Sequence, residues 1–372
     1  MQVQLIVKPG SGVTGTSRYT ENLYHGLAAS GLDVSLAFPA PALTWAPLQN
    51  GLERLGLDVN TFLASYPLRV AVEPADLYHL ATQTFASLLL TQRFRRPVVV
   101  TVHDIIPYLV RHDPALNIFQ HSLDASFYRL SLAGLKRADA LLAVSDYTGR
   151  TLVEALGLPP HKVHIAHPHM DLSLFQPQPV PDSFLGKYGL DRNTEYILYV
   201  GTNDPRKNLP AVVQALAILR ARRGNVKLLK IGADPFARER AFVQRLVARW
   251  NLQQHILSFE GVPDADLALF YNVGRLLAFP SFYEGFGIPV IEAMACGTPV
   301  VCSQAASLPE VAGDAARFID PHSVDSLALA MEQVLDDQDL RAHLRSQGIQ
   351  QAARFGSGDS IAKIRAIYQT LA

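Results

Sequence analysis

Short apolar runs rich in β-branched residues alternate with longer helical patterns along almost the whole chain, and the series is interrupted once, by Gln176-Pro177-Gln178-Pro179-Val180-Pro181. Strands that alternate with helices are covered on both faces, which predicts parallel α/β sheets. A run of prolines removes backbone donors and stiffens the chain, so it can continue neither sheet. The 372 residues exceed one comfortable core, and two domains are expected. We place a Rossmann-like domain over 1–175, a linker over 176–194, a second Rossmann-like domain over 195–356, and a closing helix over 357–372 that packs back on the first domain. Predicted strands in the first half are Gln2–Val7, Val34–Phe38, Asp76–His79, Val98–Val102, Ala140–Val144 and Val163–Ala166, with a helix Ser17–Ser30 among them. In the second half they are Tyr196–Val200, Lys227–Ile231, Ile256–Phe259, Leu276–Ala278, Pro299–Cys302 and a short one near Ala316–Ile319. Helices are expected over Leu209–Arg223, Asp325–Gln350 and Asp359–Leu371. Two doubly wound domains facing across a cleft bind ligands at the carboxyl ends of their strands.

Charge narrows the function classes. Lysine plus arginine equal aspartate plus glutamate at 33 each, 13 of each sign within residues 1–180 and 20 beyond. Neither half carries the positive field of a nucleic-acid binder. The run Arg93-Phe94-Arg95-Arg96 reads as a solvated strand entrance, with contact to anionic headgroups as the alternative. Cys296 and Cys302, without a CxxC pair, give neither a disulfide framework nor a zinc site and suit a reducing cytoplasm. No signal peptide and no twenty-residue apolar stretch is legible, so a cytoplasmic protein is expected.

The loop Gly10-Ser11-Gly12-Val13-Thr14-Gly15 follows a strand and precedes a helix, so it satisfies GxGxxG literally. The acidic residue that would confirm a dinucleotide site is missing, because Val34–Phe38 runs into Pro39-Ala40-Pro41 and Asp33 precedes the strand. What remains is a phosphate-binding turn or a bare strand–helix turn. His103, in Thr101-Val102-His103-Asp104, falls at a strand's carboxyl end, where it donates to a substrate oxygen or serves as a cap. Arg206 and Lys207, in Gly201-Thr202-Asn203-Asp204-Pro205-Arg206-Lys207-Asn208, precede a helix whose macrodipole they oppose. That local cost points to an anion, with arginine supplying forked donors and lysine a point charge; solvated loop charges are the alternative. Glu284 and Glu292 flank Gly285-Phe286-Gly287-Ile288 at a loop-to-helix transition, and carboxylates there accept charge-assisted bonds from sugar hydroxyls.

Glu284 and Glu292 form an E-x7-E motif, and EGFGIPVIEAMACGTPVV around them, with TVHDIIPYLVRHD, ADALLAVSDYTGRTLVEALGL, PRKN and SLPEVAGDAARFIDP, resembles the retaining family-four (group 1) glycosyltransferases, bacterial mannosyltransferase-like members in particular. The likeness spans nearly the whole chain. It implies the GT-B fold, with an N-terminal acceptor domain and a C-terminal nucleotide-sugar donor domain. It implies transfer of a hexose, mannose from GDP-mannose, to a saccharide or lipid-linked saccharide, with uracil or adenine and glucose as other donors. The nucleotide-sugar is then a co-substrate, no cofactor or metal is needed, no nucleic acid takes part, and transient contact with the inner face of a membrane is expected. By the same resemblance Glu284 contacts donor-sugar hydroxyls, Gly285, Phe286, Gly287 and Ile288 present backbone amides, and Glu292 holds the ribose. Arg206 and Lys207 stabilise the leaving diphosphate, His103 approaches the sugar near the reacting carbon, and Gly12, Gly15 and Gly201 let backbone approach the phosphates. Gly261-Val262-Pro263 meets the base. Two positions depart from the family pattern: Thr202 stands where many relatives carry arginine, and TGTSRYTENL replaces the usual GIGRYTRNL.

Three patterns are read as structure. Asp264-Ala265-Asp266 mimics a metal-binding DxD, but capping by Asp264 and dipole compensation by Asp266 account for it. His161, His164, His167 and His169 lack carboxylate support for a metal. Ser307-Leu308-Pro309-Glu310 reads as a capping box. The competing functions are a nucleotide-sugar epimerase of the same architecture and a two-domain sugar-binding protein without chemistry.

Overall fold

The computed structural model of the protein describes residues 1–8, 15–41, 68–119, 122–356 and 358–372. Two compact units emerge, Met1–Met170 with Ser357–Ala372, and Asp171–Gly356.

In the first unit six strands, β1 (Gln2–Ile6), β2 (Asp33–Ala37), β3 (Leu77–Leu80), β4 (Val98–Val102), β5 (Ala140–Ala143) and β6 (Val163–Ile165), pair in the order β2-β1-β3-β4-β5-β6. All five pairings are parallel. Every residue of β3, β4 and β5 is buried, as strands covered on both faces require. The third strand starts one residue later than expected; Asp76, just before it, donates its N–H to Gln2 O at 2.9 Å while its carboxylate accepts the Gln2 N–H at 2.8 Å. The helix Gly15–Ala29 buries Tyr19, Leu23 and Leu27, a stripe at helical spacing. The C-terminal helix Asp359–Leu371 belongs to this unit and buries Ile361, Ile364, Ile367 and Tyr368. Gly26 admits it, since a Cβ there would stand 2.6 Å from Ile361 Cδ1.

The second unit orders β7 (Glu195–Val200), β8 (Val226–Ile231), β9 (Ile256–Phe259), β10 (Leu276–Phe279), β11 (Val300–Ser303) and β12 (Ala316–Ile319) as β9-β8-β7-β10-β11-β12. Counted within the unit this is the Rossmann order 3-2-1-4-5-6, which reverses between β7 and β10. Connections leave those two strands toward opposite faces, so a crevice opens beyond their carboxyl ends. Their ladder is two pairs long, Ile197 with Leu276 and Leu198 with Leu277.

Two stretches differ from the expectation. Segment 171–194 counts with the second unit, and within the expected linker Asp182–Tyr188 is a helix. Phe184 and Tyr188 dock on Phe270 with ring centroids 5.0 and 4.7 Å away, so apolar burial outweighs the prolines that precede them. The long helix expected over Asp325–Gln350 breaks into Val324–Asp336 and Gln338–Ala353, because Asp337 adopts an extended conformation and caps Leu340 N–H at 2.9 Å.

Candidate functional site

Two loops leave the strands where the order of the second sheet reverses, and they are bolted to each other. After β7, Asp204 accepts the Arg206 N–H at 3.1 Å and caps the short turn Pro205–Lys207, which proline at its first position pre-forms. Asn208 then takes a left-handed conformation, φ 57°, and its side-chain amide donates to Pro280 O at 3.3 Å and Pro321 O at 2.8 Å. The Phe282 N–H donates back to Arg206 O at 2.7 Å. The loop after β10 is therefore carried on the loop after β7.

Glu284 stands at that junction. It accepts Lys207 Nζ at 3.0 Å and the Ser281 hydroxyl at 3.0 Å, with Arg206 Nη1 at 3.4 Å. Arg206 also binds Asp204 through Nε at 3.0 Å. Glu284 is 6% exposed; burial alone would raise its pKa, but Lys207 and Arg206, with bonds from Lys207 and Ser281, hold it below the usual carboxylate value. Four charges sum to zero here, because Asp204 balances Arg206 and Glu284 balances Lys207. Asp204 as Arg206's counter-ion is absent from the sequence reading; its visible signal was its place two residues before the cation.

Gly285, Phe286, Gly287 and Ile288 follow as the turn into the helix Ile288–Ala295. Gly287 has φ 113°, and a Cβ there would lie 2.8 Å from Leu308 Cδ2, so only glycine fits. Ser307 overturns the capping-box reading. It occupies the N-cap position of Leu308–Ala312 but makes no side-chain cap bond; its hydroxyl lies 2.9 Å from both Glu284 O and Phe286 O and shares one proton between them. The serine thus clamps the acidic loop. Ser303 adds a second clamp, its hydroxyl donating to Ser281 O. Glu292 is fully buried one helical turn deeper, where Oε2 accepts the Tyr271 hydroxyl at 2.8 Å. Tyr271 is a partner that motif reading does not reveal.

Gly201 follows β7, and Gly232 follows β8 so closely that a Cβ on Gly232 would be 2.5 Å from Gly201 O. Beside them Lys230, 2% exposed, donates to Gly232 O and forms an ion pair with Asp234, a buried cation the sequence reading passed over. Tyr199 OH donates to Thr202 O at 2.9 Å and so fixes the backbone at Thr202. Val262 lies in the turn between β9 and the helix Asp264–Val273, its side chain buried. The N-cap of that helix is Pro263, not Asp264, and Asp266 accepts Lys187 Nζ at 2.6 Å and Tyr188 OH at 2.7 Å. The DxD is thus partly a tertiary ion pair, beyond the dipole role first given it. Cys296 and Cys302 are buried free thiols, and burial pushes Cys296 up to about 12, out of reactive range.

In the first unit His103 follows β4 and is held on four sides. Its N–H donates to Gln83 Oε1 at 3.0 Å, its carbonyl accepts the Thr148 hydroxyl at 3.4 Å, its Nε2 meets Ala81 O at 2.9 Å, and the Tyr19 ring stands edge-on at 4.8 Å. A carbonyl only accepts, so Nε2 carries the proton. Burial lowers the pKa, against the raising influence of Ala81 O and Asp104, so the ring is neutral near pH 7 and Nδ1 bears a lone pair. Of the two readings, donor to a substrate oxygen or structural cap, the ring N–H serves the second by binding Ala81 O, and Nδ1 is left as an acceptor. Gly12 lies outside the described residues, and Gly15 opens the first helix.

The model for glycosyl transferases group 1 matches residues 182–351, and that for glycosyltransferase family 4 matches 13–174. O-antigen chain mannosyltransferase B of Escherichia coli is 36% identical over 227 residues, 59% of this chain and 58% of that protein. The serotype-specific mannosyltransferase WbdA of Escherichia coli is 32% identical over 271 residues, 69% of this chain and 31% of that protein. The chain thus spans 31% to 58% of the length of these relatives. Among solved structures, sucrose-phosphate synthase from Thermosynechococcus elongatus superposes with TM-score 0.77 at 22% identity, covering 100% of this chain and 98% of that one. Anabaena HepE in complex with UDP and glucose gives 0.72 at 18% identity, covering 99% of each chain. With these neighbours the fold is GT-B.

Proposed function

The chain belongs to the group 1, family 4 glycosyltransferases, and we propose that it is a retaining hexosyltransferase that moves mannose from a nucleotide-sugar, GDP-mannose first among donors, to a saccharide or lipid-linked saccharide. The carrying observation is the junction of Arg206, Lys207 and Glu284 beyond the carboxyl ends of β7 and β10, where a Rossmann sheet binds nucleotides. The relatives named as mannosyltransferases support the sugar.

In this reading the diphosphate draws donors from Lys207 and Arg206, and Glu284, relieved of part of that pairing, accepts a donor-sugar hydroxyl. Lys207 has the donors for both, since an ammonium offers three and Glu284 takes one. Backbone amides of Gly285 to Ile288 and approach at Gly201 serve the sugar and phosphates, and Val262 backbone meets the base. A ribose hydroxyl would bind Glu292 in competition with Tyr271. His103 Nδ1 accepts a hydrogen bond from a donor-sugar hydroxyl. Fixed cations stabilise charge growing on the diphosphate while the sugar passes through an oxocarbenium-like state, and that role asks for no metal. As the C1–O bond to phosphate breaks, the acceptor oxygen bonds C1 on the same face and its proton passes to the departing phosphate oxygen.

The test mixes the protein with GDP-mannose, UDP-glucose or ADP-glucose and a panel of mannosides. We expect nucleoside diphosphate to appear only when an acceptor is present, GDP-mannose to be used best, and the product linkage to keep the donor's anomeric configuration by NMR. Conversion of donor without acceptor would identify an epimerase, and binding without turnover a sugar-binding protein.

A further inference from the structure

Behind His103 the first unit holds an unbroken chain of four polar side chains. The Tyr368 hydroxyl is 2.6 Å from His79 Nδ1, His79 Nε2 is 2.8 Å from the Thr101 hydroxyl, and that hydroxyl is 2.9 Å from Tyr19 OH. His79, Thr101 and Tyr368 are fully buried and Tyr19 is 2% exposed. The chain starts on the C-terminal helix, crosses β3 and β4 and ends on the first helix, where the Tyr19 ring meets the His103 ring at an interplanar angle of 88°.

Packing does not call for these groups. Phenylalanine, leucine and valine would fill the same volumes without burying polar atoms, each of which costs free energy unless bonded. A fully satisfied buried network specifies orientation, which an apolar core does less well. Burial, with His103 nearby, pushes the pKa of His79 down to about 3, so its imidazole carries one N–H and one lone pair. The chain then ties Tyr19 to residues as distant as Tyr368. His103 needs such support. Its bond to Ala81 O fixes one nitrogen, but a ring flip would put Cε1 in place of Nε2, break that bond, free the tautomer and turn Nδ1 to the opposite side, and the Tyr19 ring packed at right angles to it stands against that flip.

We infer that Tyr368, His79, Thr101 and Tyr19 are positioning residues that hold the His103 ring with Nε2–H on Ala81 and Nδ1 presented as the acceptor. The inference rests on the role assigned to His103 above. It gives the last helix of the chain a part in placing the His103 ring.

Tyr368→Phe removes one hydroxyl and keeps the ring. Nucleoside diphosphate release from GDP-mannose with a mannoside acceptor should fall about tenfold in kcat, roughly 1.4 kcal/mol, with donor KM changed less than about twofold. Placed on His103→Ala, the same change should cost nothing further, whereas a merely structural role would cost the same in both backgrounds. Ring 15N shifts should report one His103 tautomer in the wild type and a mixture in Tyr368→Phe. Thr101→Val should reproduce the loss and Thr101→Ser restore turnover, which covers the case of a variant that folds poorly. Unchanged kcat with unchanged His103 shifts in Tyr368→Phe, or an equal loss in both backgrounds, overturns the inference. If His103→Ala leaves transfer intact, the role of His103 fails, and the tautomer measurement still decides whether the chain orients the ring.

Discussion

Lys207 Nζ stands 3.0 Å from Glu284 Oε1, so the cation expected to face a leaving diphosphate is already held by the carboxylate expected to hold the sugar. The pair is nearly dry, with side-chain exposures of 13% and 8%. Each partner keeps the other's charge from being stranded.

Removing one partner leaves a buried charge uncompensated except by Arg206. Lys207→Ala should lower transfer by about a hundredfold or more, in the range seen when one preorganised electrostatic group is lost. It should destabilise the protein by roughly 1–3 kcal/mol, less than a fully orphaned buried charge because Arg206 remains at 3.4 Å. Steady-state kinetics and urea unfolding check the two parts, and near-normal turnover would remove Lys207 from the mechanism.

The pKa of Glu284 sits below its ordinary value of 4.5. A depressed folded-state pKa contributes stability that is fully present above the unfolded value and is lost as pH falls through the folded one. Wild type should therefore be more stable than Glu284→Gln at pH 7, and the gap should close as pH drops below about 4.5. Unfolding free energies of both proteins from pH 7 to pH 3 measure it; a gap independent of pH would contradict the pairing.

Gly232→Ala places a methyl 2.5 Å from Gly201 O at φ +128°. Backbone lies on both sides of that contact, so no side chain can swing away. We expect a loss of about 2–4 kcal/mol, hence a melting temperature lower by several degrees, with weaker stabilisation by nucleoside diphosphate. Thermal unfolding with and without GDP reads both.

Ser307→Ala discriminates the two roles for that serine. If the hydroxyl clamps Glu284 O and Phe286 O, its loss should cost about 1–3 kcal/mol and cut kcat/KM by about tenfold, since two buried carbonyls lose a donor. Glu310→Gln should then be close to neutral for turnover. A capping box would instead make the two variants alike, with little effect on turnover.

Much of this protein is local and so was legible before any tertiary structure. Strand and helix periods depend on neighbours in sequence, which is why both parallel sheets and the acidic motif at Glu284 and Glu292 could be read directly, whereas the break read at residue 176 falls inside the second unit, which starts at Asp171. Proline punctuation misled where a later apolar face overrode it, and Asp182–Tyr188 became a helix on Phe270. Charge partners and hydrogen-bond direction are a different matter. Glu284 meets a lysine 77 positions away, Ser307 spends its hydroxyl on carbonyls 23 and 21 positions away, and the His103 ring becomes an acceptor because Ala81 O takes its one ring N–H. Each outcome depends on which loops the sheet order brings together at strand ends, and a group's options in sequence far outnumber the one partner that packing leaves within about 3 Å.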